Sequence, residues 1–449
     1  MNSPNFRHRI AQHTPFFYGW AILFSAGSAV FVRNAAAALT LGVFMFPMAE
    51  DLGWSRTLLA GTASAGGIAA MFAAPISGYL IDRYGPRAVL LGAALILGFT
   101  TMAIGWWITP ISFYILFGIG RVIFAAPIQI GTGTVVSQWF IRRRGRANGI
   151  LASSHSVGMG LMPFFAQILI NTVGWREAWF WLGITVWIIA LAPLWFLMVS
   201  KPEDVGMLPD GDGDAGELES ASGDAAQEDP PPGPVEIEGW TLAKAMRTPT
   251  LWAIGLTGGL LFFVHASVNI HQAAFLRDQG ISATVAAAAL TSLAAGSAIG
   301  AIFWGVVAEK LPVKLAYAAV ALYMGLVALM FLTVNNTALA FIVATLFGFG
   351  LGGLLVIPSV IVADYFGRRS LGAVRGFVEP WVGGGQAAGA LGAGLIYDIT
   401  GDYRAVFPML AAFAILAATL ILFTPSPGKP PARATDRDPI SSAAATADD

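Results

Sequence analysis

The chain has 449 residues, of which 56% are hydrophobic and only 11% charged. Soluble domains carry about 25% charged residues, so a water-soluble fold is excluded, and a net charge of −1 leaves no electrostatic footprint for nucleic acid. Cysteine is absent, which excludes disulfides and thiolate metal sites.

Apolar stretches longer than the roughly 20 residues that cross hydrocarbon recur along the chain. Short alternating segments of the kind a barrel needs are not seen. The N-terminus holds Arg7 and Arg9 but no small-residue cleavage site, so the first span is read as retained. That span, Phe16–Pro47, carries Arg33 and Asn34 near its middle. Burying an arginine at that depth costs on the order of 2.5–3.5 kcal/mol. Arg33 is therefore expected to face a wet cavity and contact substrate, or else to pair with a carboxylate elsewhere.

The second span, Ser55–Ile81, runs into Gly78-x-x-x-Asp82-Arg83-x-Gly85-Pro86-Arg87, and the third follows over Ala88–Ile108. The fourth, Ser112–Phe140, contains Arg121 and Gln129 and ends at Trp139-Phe140-x-Arg142-Arg143. The fifth, Arg146–Val173, holds His155 among three serines, which make it either a titrating group or a satisfied packing residue. The sixth is Trp175–Ser200. A stretch from Asp210 to Pro234 is acidic, Gly/Pro-rich and nearly free of large apolar groups, and reads as a disordered linker. Beyond it, Trp240–Trp252 has a short amphipathic pattern suited to a membrane surface.

The seventh span, Pro249–Leu276, places His265 and Asn269 one turn apart on one face. The eighth, Ser282–Val307, has no Lys, Arg or His and ends at Gly305-x-x-x-Glu309-Lys310-x-x-x-Lys314. The ninth and tenth are Val313–Val334 and Thr337–Tyr365. In the tenth, Gly348-x-Gly350-x-x-Gly353 spells a dinucleotide fingerprint, but without a preceding strand it reads as close helix packing. The eleventh, Leu371–Tyr397, carries Glu379 four residues after Arg375, a spacing that favours a local ion pair or leaves the carboxylate to carry a proton. The twelfth is Tyr403–Thr424, and a polar tail follows.

The two glycine-acid-base loops lie about 227 residues apart. Tyr365-Phe366-x-Arg368-Arg369 repeats Trp139-Phe140-x-Arg142-Arg143 at nearly the same offset. Two repeats in one register imply a duplicated architecture, and duplicated halves in a membrane point to a transporter with its site between them. The chain divides into a six-helix bundle over 1–200, a linker with a short amphipathic segment over 201–247, a second six-helix bundle over 248–424, and a disordered tail over 425–449. Lys and Arg crowd the loops of one side: Arg7, Arg9, Arg83, Arg87, Arg142–Arg146, Lys310, Lys314, Arg368 and Arg369. The other side has Arg56, Arg176, Arg277 and Arg404. The rich side is the cytoplasmic one, so both termini and the linker are expected inside, in an inner (plasma) membrane.

These motifs resemble the major facilitator superfamily. The loop Gly78-Tyr-Leu-Ile-Asp82-Arg83-Tyr-Gly85-Pro86-Arg87 is similar to its signature between helices two and three, and Gly120-Arg121 to its helix-four motif. More narrowly, Trp139 through Gly149, Lys201-Pro-Glu-Asp-Val-Gly206 and Leu208-Pro-Asp-Gly211 resemble the bacterial monocarboxylate porter and oxalate–formate exchanger families. The resemblance implies an all-α polytopic protein with twelve transmembrane helices in two pseudo-symmetric bundles, a midplane site and alternating access. Members of the narrower families carry a basic residue in helix eight that meets the substrate carboxylate, and this chain has none there. By the same resemblance helix one lines the cavity, which leaves Arg33 as the only formal charge near the middle of a cavity-lining span.

The expected substrate set is Arg33, Asn34, Arg121, Gln129, His265 and Asn269. The proton-coupling candidates are His155, His265 and Glu379. The gating set is Asp82, Arg83, Arg87, Glu309, Lys310, Arg142 and Arg368. The resemblance also implies that Asp82 and Glu309 each approach the start of a helix in the opposite half, where the positive dipole end favours an anion. The function expected is secondary transport of a small organic anion, a monocarboxylate, coupled to protons or run by exchange, by a monomer without cofactor. Efflux of amphipathic drugs, or solute sensing without transport, are the alternatives, and no motif points to an enzyme.

Overall fold

Proline and glycine divide this chain into its helices. The structure, a computed structural model, describes residues 11, 14–106, 109–211 and 239–428. Arg7, Arg9, most of the expected linker and most of the tail lie outside them. Helix α1 consists of Gly19–Val32 and Ala38–Leu52, separated by a 3-10 turn over Arg33–Ala36. It runs past Pro47, the expected end, with that proline inside the helix. Helices α2 (Arg56–Tyr84) and α3 (Pro86–Ile104) meet at Gly85, whose φ of 81° suits only glycine, with Pro86 placed where a missing N–H costs nothing.

Helix α4 comes in two pieces, Pro110–Ala125 and Pro127–Trp139. Pro127 cannot donate, and it pushes Ala126 out of the helical region to φ −114°, ψ −82°. The run Arg144–Val186 holds both α5 and α6, separated at Gly174 (φ 81°, ψ 162°), between the ends expected for the fifth and sixth spans. Helix α6 then continues through a π turn at Trp187–Leu191 to Phe196. The second half comprises α7 (Pro249–Asp278), α8 (Ala283–Lys310), α9 (Val313–Met330), α10 (Thr337–Phe366), α11 (Leu371–Thr400) and α12 (Val406–Phe423). Side-chain caps start several of them: Ser55, Ser282 and Asn336 each accept the backbone N–H three residues on.

Among the described residues, 10 stretches are long and apolar enough to cross a membrane. One of these, Arg144–Phe196, holds the two crossings divided at Gly174, and the more polar α11 completes twelve. The buried apolar side chains form two large cores. One runs from Ala11 to Val205, the other from Trp240 to Ile421, and the second also takes in Ala152 of α5.

The halves meet through α2 against α11 and α5 against α8. Both contacts rest on glycine. A Cβ on Gly372 would stand 2.7 Å from the Gly78 carbonyl oxygen, and one on Gly145 would collide with the Gly305 carbonyl. One turn further into the membrane, a Cβ on Gly376 would stand 2.6 Å from the Ala74 oxygen, and one on Gly149 would stand 2.7 Å from the Ala301 oxygen. Gly78 and Gly305, Ala74 and Ala301, Gly145 and Gly372, and Gly149 and Gly376 all differ by the repeat offset. The duplication legible in the loops therefore extends into the packing. Small residues let these backbones touch, which is how helices associate where lipid supplies no hydrophobic drive.

Candidate functional site

Two of the first-half helices that line the central cavity are broken there, and the breaks position part of the site. The 3-10 turn in α1 carries Arg33 and Asn34; the kink at Ala126 in α4 stands between Phe124 and Gln129. A broken helix leaves terminal carbonyls without intrahelical donors. Arg33 uses one of them: its Nη1 donates to the Phe124 carbonyl at 2.9 Å and to Gln129 Oε1 at 2.5 Å. Its guanidinium also lies over the Phe124 ring, 4.5 Å from the centroid, and Arg121 lies over the same ring at 4.9 Å. Only 4% of Arg33 is exposed.

Arg33, Gln129 and His155 from the first half and Leu355, Ser359 and Arg375 from the second line one cavity of about 30 Å³. That is room for about two waters, or for a group of carboxylate size. Arg375 is 5% exposed. Its Nη2 donates to Ser359 Oγ at 2.9 Å and to the Gln129 carbonyl at 3.5 Å. Gln129 thus joins the two guanidiniums, its side chain to Arg33 and its backbone to Arg375. Among the described residues, Arg33 Nε, Arg121 Nε and Arg375 Nη1 are buried without a hydrogen-bond partner. Buried donors left unpaired are costly, so these hold unused hydrogen-bonding capacity. Asn34 sits beside them, its amide within 3.3 Å of His155 Nδ1 and of the His155 carbonyl.

A second cluster closes one face of the molecule. The Asp82 carboxylate accepts from the backbone N–H groups of Gly372 (2.9 Å) and Ala373 (2.7 Å), at the first turn of α11. Glu309 accepts from the Arg146 N–H and Arg146 Nε, both at 2.7 Å, at the first turn of α5. Beside them Arg144 pairs with Asp364. Arg368 donates to Gln138 Oε1 at 2.8 Å and to Glu203 at 3.0 Å, and the Gln138 amide returns a bond to the Arg368 carbonyl at 2.9 Å. All of these cross from one half to the other on the Arg-rich face.

The residues singled out from sequence do not all meet. Arg33, Gln129 and His155 line the cavity, with Asn34 and Arg121 against it. His265 packs edge-on to Phe262 with Nδ1 unpartnered, and does not line the cavity. Asn269 is half-buried further along α7, also outside it. In the gating set, Asp82, Glu309 and Arg368 cross between halves. Arg83 bonds Tyr79 within its own helix, Arg87 lies over Trp195, and Lys310 is exposed. The Arg142 N–H donates to Asp210.

Three expectations need correction. The local ion pair between Arg375 and Glu379 is not formed, because Arg375 turns instead to Ser359 and Gln129. Arg33 is not the only central cation lining the cavity, since Arg375 meets it from α11. Asp210, read as the start of a disordered linker, is 6% exposed, and its carboxylate accepts from the N–H groups of Ile141, Arg142 and Arg143. Three converging donors justify its φ of 60°. Phe124, Asp364, Gln138 and Glu203 were not singled out. Gln138 and Asp364 stand at matching places just before the aromatic-pair repeats, a signal the sequence does hold.

Comparison with known proteins agrees with this geometry. Over 431 residues the chain is 23% identical to Monocarboxylate transporter 10 of Homo sapiens, covering 91% of this chain and 78% of that one. Over 386 residues it is 26% identical to the Sialic acid transporter NanX of Escherichia coli (strain K12), covering 81% and 84%. The solved proton:xylose symporter XylE, bound to 6-bromo-6-deoxy-D-glucose, superposes with a TM-score of 0.71 over 91% of this chain and 96% of that one, at 13% identity, which speaks to fold alone. The sequence profile of the Major Facilitator Superfamily matches residues 20–275 and again 266–446. A profile that matches once in each half, on a chain whose helix contacts repeat in the same way, leaves one conclusion: the protein belongs to the Major Facilitator Superfamily.

Proposed function

We propose that this protein is a secondary transporter of a small organic anion, a monocarboxylate, and that Arg33 holds the anionic group. The observation that carries this reading is the central cavity, with its two guanidiniums from opposite halves and unpaired donors on both. Arginine binds carboxylates through two parallel charge-assisted bonds, and a cavity rimmed by cations selects anions. Similarity to monocarboxylate and sialic acid transporters supports the same class. Arg375 supplies the second cation that the eighth span lacks.

The site lies between the halves, so alternating access follows from their rocking about it. Asp82 and Glu309 each hold a helix N-terminus of the opposite half, with Arg368, Gln138 and Glu203 beside them. These contacts form the gate on the Arg-rich face, which we assign to the cytoplasm of an inner membrane, with both termini on that side and the protein acting as a monomer. Transport runs on protons or by exchange. His155, in the cavity wall against Asn34, is the group placed to carry a proton.

Uptake of labelled short monocarboxylates into proteoliposomes, with and without a pH gradient, tests this reading. Saturable uptake that other carboxylates compete is expected. Uptake of amphipathic cations with no response to carboxylates would overturn it in favour of drug efflux.

A further inference from the structure

One carboxylate in the membrane core is unused by the scheme above. Glu379 lies on α11, one helical turn beyond Arg375 on the same face. It is half-buried, and among the described residues it forms no ion pair. Arg375, on the same helix face, and Arg33 are the cations within its electrostatic reach. The other carboxylates described above, Asp82, Glu203, Asp210, Glu309 and Asp364, are engaged on the Arg-rich face. Two guanidiniums, Arg33 and Arg375, line the cavity, and Arg121 shares the Phe124 ring with Arg33.

Such a cluster has two ways to meet its need for negative charge. A substrate anion is one. Glu379 is the other, since a side chain four residues along a helix reaches its neighbour by changing rotamer. Closing a cavity over unpaired cations is strongly unfavourable, and an empty carrier must close and reopen to complete a cycle of net transport. We propose that Glu379 is the counter-charge for the cavity arginines when no substrate is bound. Substrate and Glu379 then compete for Arg375, and the ligand-free return step depends on Glu379 while exchange does not. The proposal rests on the organic-anion reading above for its substrate, but the behaviour of the empty protein follows from the charges alone.

The experiment uses full-length Glu379→Gln and Glu379→Asp beside wild type, each checked for monodispersity in detergent. Spin-label distances across the Arg-rich face report the ligand-free distribution of open and closed states. Pyruvate flux in proteoliposomes then separates net uptake from counterflow. In Glu379→Gln the minor ligand-free state should fall by roughly a hundredfold to a thousandfold or more, as expected when a buried charge loses its partner. Net pyruvate uptake should fall with it, while counterflow stays within a few-fold of wild type. Glu379→Asp should recover part of both. An unchanged ligand-free distribution in Glu379→Gln overturns the proposal, as does equal loss of net uptake and counterflow. A pH response lost with no change in that distribution would make Glu379 a proton carrier instead, and also overturns it. Whether wild type moves pyruvate tests the organic-anion reading; the ligand-free distances test Glu379 separately.

Discussion

At the scale of single residues, the site is a contest between burial and charge. Arg33 can stay ionised in the core because Gln129, the Phe124 carbonyl and the Phe124 ring share its charge. None of these is an anion, so on the proposed function the substrate's anionic group supplies the missing charge. Arg33→Ala should weaken monocarboxylate binding by roughly tenfold to a hundredfold, the worth of about 1.5–3 kcal/mol for hydrogen bonds to a charged group. Arg33→Lys keeps the charge and loses the fork, so it should fall between. Titration of purified variants beside a folding control checks this, and binding within a few-fold of wild type in the Ala variant would make Arg33 structural. Arg375→Ala should cost affinity to a similar degree. Removing either arginine also relieves the repulsion between them, so the double variant should lose less than the sum of the two single losses.

At the scale of elements, the repeated acid in each half caps a helix of the other half. For Asp82 and Glu309 this was expected from the family resemblance, and the repeat of the glycine-acid spacing in both halves supported it. Neither was enough to name the partners. Gly372, Ala373 and Arg146 become partners only because the paired glycines bring α11 and α5 into backbone contact with α2 and α8. Asp82→Asn should loosen the gate by about 0.3–2 kcal/mol, up to roughly thirtyfold in the open-to-closed ratio. Distances across the Arg-rich face measure it, and an unchanged distribution would reduce Asp82 to a topology signal at a helix end. Gly372→Leu should act more strongly in the same direction, since its side chain has no room beside the Gly78 carbonyl. Retention of the closed state in that variant would refute the close approach.

At the scale of the whole molecule, the contacts between the halves are doubled. Asp82 and Glu309 sit on different helix pairs with no shared partner, so their effects should add. Asp82→Asn with Glu309→Gln should shift the gate by the product of the single shifts. A double variant no more open than either single one would show that one contact alone sets the barrier. Orientation is a separate test, and the absence of native cysteine makes it clean. Lys310→Cys lies on the Arg-rich face and Asn335→Cys on the opposite one. An impermeant reagent added to intact cells should label the second and spare the first, and the reverse pattern would invert the topology.

The sequence by itself determined the class, the number of crossings, the duplication and the central arginine. Each is a local or periodic property: apolar length against bilayer thickness, a repeat offset, and a charge where hydrocarbon forbids one unless something answers it. Tertiary structure decided which groups answer. That Arg375 turns from its helical neighbour Glu379 to Ser359 and Gln129 depends on helices α4 and α10 arriving beside α11. That Asp210 is an ordered cap depends on the three N–H groups of Ile141, Arg142 and Arg143 converging on it. Spacing along one helix names the partners a side chain is able to reach. Only packing decides which of them offers the better hydrogen bond once water has been excluded.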